Sequence, residues 1–398
     1  MGIAERTLWA AIALLAGGCA GAPPPAPATM AAPAGSTCRT AAARLSFDFE
    51  GASASACSVT GERDFALLVT PEHAPPINPS PWYACRYETP GEGAVTVTLG
   101  YLGGQHRYAP KWRGADGDWR DLPAEPAPDG KGAVIRLPAG RGTIAAQEII
   151  PPSHARADLA RWSAATGAPV FTLGRSHDGR PIEAIRLGRA NAPRLVVLLG
   201  RQHPPEVTGA IAMRAFVEAL AAQADGLGDV QFLIVPMLNP DGTARGHWRA
   251  NRGAVDLNRD WGPFTQPETR AVKAWLDALP QGVRPVLMVD FHSTRSNLFY
   301  VQGPDEASAG QQRFLAAWLA GRENALTGYP FTIEPRNANP GSGTAKNWFH
   351  ATYAIPAYTY EVADDADRAA TRAAATTLAQ ALLPALDAGG AGVQSSYP

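Results

Sequence analysis

A chain of 398 residues is long for one domain and comfortable for two. Its hydrophobic content of 45% and aromatic content of 8% suit a globular protein with a real core. Lys and Arg total 35 against 36 Asp and Glu, so nothing in the overall charge supports a nucleic-acid partner or an electrostatic hold on a membrane.

The chain opens on a targeting signal. Arg6 leads into an apolar run, Leu8 to Ala16, which ends at Gly17, Gly18 and Cys19. The run is too short to span a bilayer as a mature helix but suits the core of a signal peptide over residues 1–18. Small residues just before a cysteine resemble a bacterial lipobox, with Ala16 where Leu or Val is usual. Cys19 is therefore expected to carry a lipid, giving an exported lipoprotein that faces the periplasm and touches membrane only through this anchor. Residues 19–43, with Pro23 to Pro25 among Ala, Gly, Ser and Thr, read as a tether. An exported protein sustains disulfides, so one pair is expected among Cys38, Cys57 and Cys85, with nothing in the sequence to choose it.

Residues 44–150 alternate apolar and polar over short runs: Leu45 to Phe49, Phe65 to Val69, Val95 to Leu99 and Val134 to Leu137. Turn residues separate them, and no helical period is present, which predicts a small all-β sandwich. From 151 to 388 the pattern changes. Solidly apolar strands at Leu195 to Leu199, Phe232 to Val235 and Val286 to Val289 alternate with helical stretches at Gly209 to Ala222 and Glu268 to Leu279. This predicts an α/β fold with a mixed, mainly parallel sheet and helices on both faces. A last helix, Asp367 to Leu386, precedes a flexible tail at 389–398.

Four constellations carry chemistry. His203 and Glu206 follow one buried strand and precede a helix, at the sheet edge where open α/β sheets place their sites. Pro204 and Pro205 keep the segment out of helix, so an imidazole and a carboxylate can converge as two ligands of a tetrahedral zinc. Asn239-Pro-Asp-Gly242 then leaves a second strand and leads into a loop holding Arg249, Arg252, Asp256, Asn258 and Arg259. A guanidinium there can bind a carboxylate in bidentate fashion or stabilise an oxyanion. A third strand ends on His292 and Ser293, and Glu361 lies in an apolar, aromatic run whose burial demands a partner for its charge.

In order and context these pieces resemble the zinc carboxypeptidases related to carboxypeptidase A, over roughly Pro169 to Leu386. The resemblance implies one zinc per chain on His203, Glu206 and His292, with Glu361 as general base and acid. It implies Arg249 polarises the scissile carbonyl, with Arg252 a lesser candidate. Asn258 and Arg259 would hold the substrate's C-terminal carboxylate, beside Ser293, and Asp256 would orient His203. The substrate is then a peptide or protein C-terminus. The wording around His203 and Arg249, and the preceding β-domain, is most similar to cytosolic carboxypeptidases. One departure is Asn339, where the family places a tyrosine that closes over the substrate, with Tyr329 and Tyr353 poor substitutes. Lys346 occupies the position at the base of the pocket for the departing side chain, which favours acidic C-terminal residues. The alternative function is an amidase or carboxypeptidase for γ-glutamyl or cell-wall peptides, with the same metal site.

Overall fold

The computed structural model describes residues 37–74, 78–336 and 342–389. Cys19, most of the expected tether, Asn339 and the tail beyond residue 389 lie outside the described residues.

Alternation of side chains builds the first half. In the strand Val95–Tyr101 the valines, Leu99 and Tyr101 are buried, and the threonines between them are half-exposed. Among the described residues, eleven short strands form two sheets, one of six strands and one of five. Leu45, Cys85 and Ile144 of the first share one apolar core with Phe65, Val97 and Ile135 of the second. That is a sandwich. Thr37–Arg39 already pairs with Arg44–Ser46, and Ala42 and Ala43 are buried, so this end of the expected tether belongs to the packed sheet. A disulfide joins Cys38 to Cys57 and ties the edge of one sheet to the other, while Cys85 is free and buried. Burial pushes the Cys85 thiol up to about 12, so it behaves as an apolar residue.

Apolar runs build the second half. Eight strands among the described residues form a mixed sheet in which Val230–Val235, Arg194–Gly200, Arg284–Thr294 and Ala357–Ala363 are neighbours and mutually parallel. Antiparallel strands flank this centre. The helices Val207–Ala221, Ala309–Trp318 and Arg368–Ala388 pack on one face, and Pro267–Asp277 and Ala345–Tyr353 on the other. A further helix, Pro152–Thr166, starts with proline in its first turn, where the missing amide costs nothing.

Two contacts set the site's position. Val207, Ile211 and Trp248 extend into the sandwich core, so the halves meet through apolar packing. Gly209 lets the helix Val207–Ala221 rest on the backbone of His292, where an added Cβ would come within 2.4 Å of the carbonyl oxygen. Only glycine permits that approach.

Candidate metal centre and cleft

The carboxyl ends of the central parallel strands bring the motifs to one edge of the sheet. The turn after Arg194–Gly200 carries Arg201 at a φ of 53°, an unfavoured conformation for an arginine, held by its guanidinium donating to the Pro204 carbonyl at 2.7 Å. That turn aims His203 and Glu206 inward. Glu206 Oε1 lies 2.8 Å from His203 Nδ1, and Oε2 lies 2.6 Å from His292 Nδ1. The candidate ligand atoms of His203, Glu206 and His292 all fall within 4.8 Å of one another, and all three residues are buried.

The far nitrogen of each ring is also fixed. His203 Nε2 meets Asp256 Oδ1 at 2.8 Å, and His292 Nε2 meets Asp290 Oδ2 at 2.7 Å. With a carboxylate on each Nε2, both Nδ1 atoms are presented towards a common point. Burial pulls the His203 imidazole down, but Glu206 and Asp256 hold it above its ordinary value. Burial acts likewise on His292, and Asp290 and Glu206 raise it well above. Burial opposes ionisation of Glu206, yet the two imidazoles keep its carboxylate far below the usual range. Two buried imidazoles and a carboxylate converging from three directions form a donor set that zinc accepts.

Glu361 stands opposite His292 in the parallel register of Arg284–Thr294 and Ala357–Ala363. Its Oε2 is buried and has no hydrogen-bond partner among the described residues. Burial pushes the carboxyl up to about 7, against the pull of His292. A buried, unpartnered carboxyl oxygen beside two imidazoles and a second carboxylate fits a cation centred among them, which would hold Glu361 ionised. The residues therefore fit zinc.

The surrounding cleft encloses about 970 Å³. Arg249 lines it with its Nε committed to Asp256 Oδ2 at 2.6 Å, which leaves the terminal nitrogens to face a carbonyl. Arg252 does not line the cleft and leans towards Asp178 at 3.6 Å. Asn258 accepts the Ala345 amide on Oδ1 at 2.8 Å, and its Nδ2 lies 3.3 Å from His292 Nε2. Arg259 is exposed at the wall. Ser293 reaches the cleft, and its hydroxyl oxygen accepts from Thr208 Oγ1 and from the Gly209 amide of the helix. Lys346 is 5% exposed, lines the cleft and donates to the Arg336 carbonyl at 2.9 Å. Burial pulls its ammonium down to about 8.

Several lining or supporting residues lie outside the motifs. Tyr329 is buried in the core and Tyr353 packs on Trp348, while Tyr300 lines the cleft beneath Arg336. Asp290 has a signal that strand periodicity supplies: it lies two before His292, on the same face of the strand. From the sandwich come Ser80, Gln105, Arg107 and Lys131, with Arg107 paired to Asp364 at 2.7 Å.

The family model for zinc carboxypeptidases matches residues 165–381, more than half of the chain. Among curated proteins, cytosolic carboxypeptidase 6 of Caenorhabditis elegans is 33% identical over 140 residues, covering 32% of this chain and 30% of that protein. Human cytosolic carboxypeptidase 2 is 31% identical over 119 residues, covering 28% and 13% respectively. The matches thus span a third or less of these relatives. Among solved structures, a metallo-carboxypeptidase from Burkholderia cenocepacia superposes with a TM-score of 0.71 at 20% identity, over 87% of this chain and 99% of that one. A metallo-carboxypeptidase from Pseudomonas aeruginosa, solved with (2-guanidinoethylmercapto)succinic acid, gives 0.67 at 20% identity, over 86% and 97%. These likenesses carry the fold, sandwich included.

Proposed function

The chain belongs to the zinc carboxypeptidase family, and from that membership we propose that it is a zinc-dependent metallocarboxypeptidase, hydrolysing the last peptide bond of its substrate. The observation that carries the reading is the convergence of His203, Glu206 and His292 beside the unpartnered Glu361 carboxyl. Zinc bound there supplies Lewis acidity to a carbonyl oxygen and acidity to water. Glu361 accepts the proton of the attacking water and returns it to the leaving amine. Arg249 donates from its terminal nitrogens to the oxyanion as the carbonyl loses its double bond. Asn258 and Arg259 hold the free C-terminal carboxylate, which makes the enzyme an exopeptidase.

Lys346 supports a preference for acidic C-terminal residues. It is a buried cation in a cleft also lined by Arg259, Arg295 and Arg336. With its ammonium pulled down to about 8, it is charged at neutral pH and loses its proton above that value. Peptides ending in Glu should therefore be cleaved with higher kcat/KM than isosteric ones ending in Gln. The ratio should shrink as pH rises through about 8, because kcat/KM reports the free enzyme's ionisations. In Lys346→Asp the order of peptides ending in Glu and Lys should reverse. A wild-type enzyme indifferent to Glu and Gln at pH 7, or a ranking unchanged in the variant, removes Lys346 from specificity. Faster cleavage of γ-glutamyl or cell-wall peptides than of any α-linked peptide would favour the amidase reading.

Export and anchoring belong to the same proposal. The apolar run before Cys19 supports it. Cells expressing the protein should incorporate radiolabelled palmitate into it, and Cys19→Ala should abolish the label. Label retained in that variant removes the anchor from Cys19.

A further inference from the structure

Three consecutive amides near the metal centre take their hydrogen bonds from the sandwich. Glu72 lies just after the sandwich strand Asp64–Val69, and its side chain is only 4% exposed. Its Oε2 accepts the Trp248 amide at 2.7 Å. Its Oε1 accepts the Arg249 amide at 3.0 Å and the Ala250 amide at 2.6 Å. The loop is otherwise irregular here, and no backbone carbonyl among the described residues takes those three donors. Buried amides need acceptors, and an ionised acceptor binds them more strongly than a neutral one.

What these amides carry is the guanidinium that faces the cleft. Arg249 Nε donates to Asp256 Oδ2, and Asp256 Oδ1 meets His203 Nε2. Trp248 is fully buried in the sandwich core, so the backbone just before Arg249 is anchored on that side too. A continuous set of bonded groups thus runs from Glu72 through the Arg249 backbone to Asp256 and the candidate ligand His203.

We propose that Glu72 is a positioning residue for turnover: from the sandwich it fixes the backbone from which Arg249 reaches the scissile carbonyl. The inference rests on the reading of Arg249 given above. Carboxamide replacement removes the charge and places an NH₂ group against amides that need an acceptor. Glu72→Gln should lower kcat by roughly 10- to 100-fold, the scale of a misplacement near 1 Å. KM and zinc content should stay close to wild type, because the oxyanion contact forms only in the transition state.

A double-mutant cycle with Arg249→Ala separates positioning from mere support. If Glu72 acts through Arg249, adding Glu72→Gln to Arg249→Ala should change kcat by no more than about twofold, since the group being positioned is gone. In the metal-free protein, amide hydrogen exchange at Trp248, Arg249 and Ala250 should accelerate in Glu72→Gln while the sandwich strands keep their protection. Glu72→Asp, which keeps the charge but loses reach, should give the same ordering if the Gln variant does not fold. Equal losses in both backgrounds, or an undiminished kcat in Glu72→Gln, would overturn the proposal. An Arg249→Ala variant with wild-type kcat would instead overturn the reading of Arg249 itself, and this proposal with it.

Discussion

Replacing Glu361 by Gln should leave the fold and the metal in place and lower kcat by about 10²- to 10⁴-fold, the usual contribution of a positioned acid–base group. Shape and hydrogen-bonding capacity are nearly kept, and only the ability to take a proton is lost. The expectation stands on the geometry of one strand pair. Glu361 faces His292 across a hydrogen-bonded register, and among the described residues its Oε2 has no partner that could make it structural. Circular dichroism and elemental analysis check fold and metal, and single-turnover assays check the rate. A variant that keeps more than about a tenth of wild-type kcat assigns proton transfer to another group, given the range expected for such catalysis.

Protein purified without added metal should carry one zinc per chain, and a chelator should abolish its turnover until zinc is restored. The donor set explains why. Both Nδ1 atoms are turned inward by carboxylates on the opposite nitrogens, so the site is organised before any ion arrives. In His292→Ala one of three ligands is lost, and the Asp290 and Glu206 carboxylates lose their shared partner. Metal content should fall below about 0.1 per chain, and the rise in Tm on adding zinc to metal-free wild type should vanish. Turnover in protein with no detectable transition metal would remove zinc from the mechanism.

Where the chemistry was legible, it was so because spacing and strand context coincide. His203 and Glu206 follow an all-apolar strand with two prolines between them, and Asp256, Asn258 and Arg259 lie in one short loop. The three solid apolar strands of the α/β half appear where their composition places them, with five of their six ends extended by one to five residues and the end at Val235 unchanged. Ser293 lines the cleft as its motif suggests, and geometry adds what the motif does not show. Neighbouring strand residues face opposite ways, so with His292 turned to the metal centre the Ser293 hydroxyl goes to the helix. Glu72 was beyond reach for a different reason: its partners are backbone amides 176 to 178 residues away, and amides leave no mark in a sequence. The disulfide pairing was equally hidden, since it depends on how two sheets of the sandwich stack.

The pairing of His292 with Glu361 works as a ruler. Their separation is set by rungs between adjacent strands, not by the length of chain that joins them. Everything from Arg295 to Pro356 (wall, rim and outer helix alike) could lengthen, shorten or be exchanged in descent without altering that span. A single-residue slip within either strand, by contrast, would turn one of the two side chains to the wrong face. Divergence in what the cleft admits is thereby uncoupled from the distance on which bond cleavage depends.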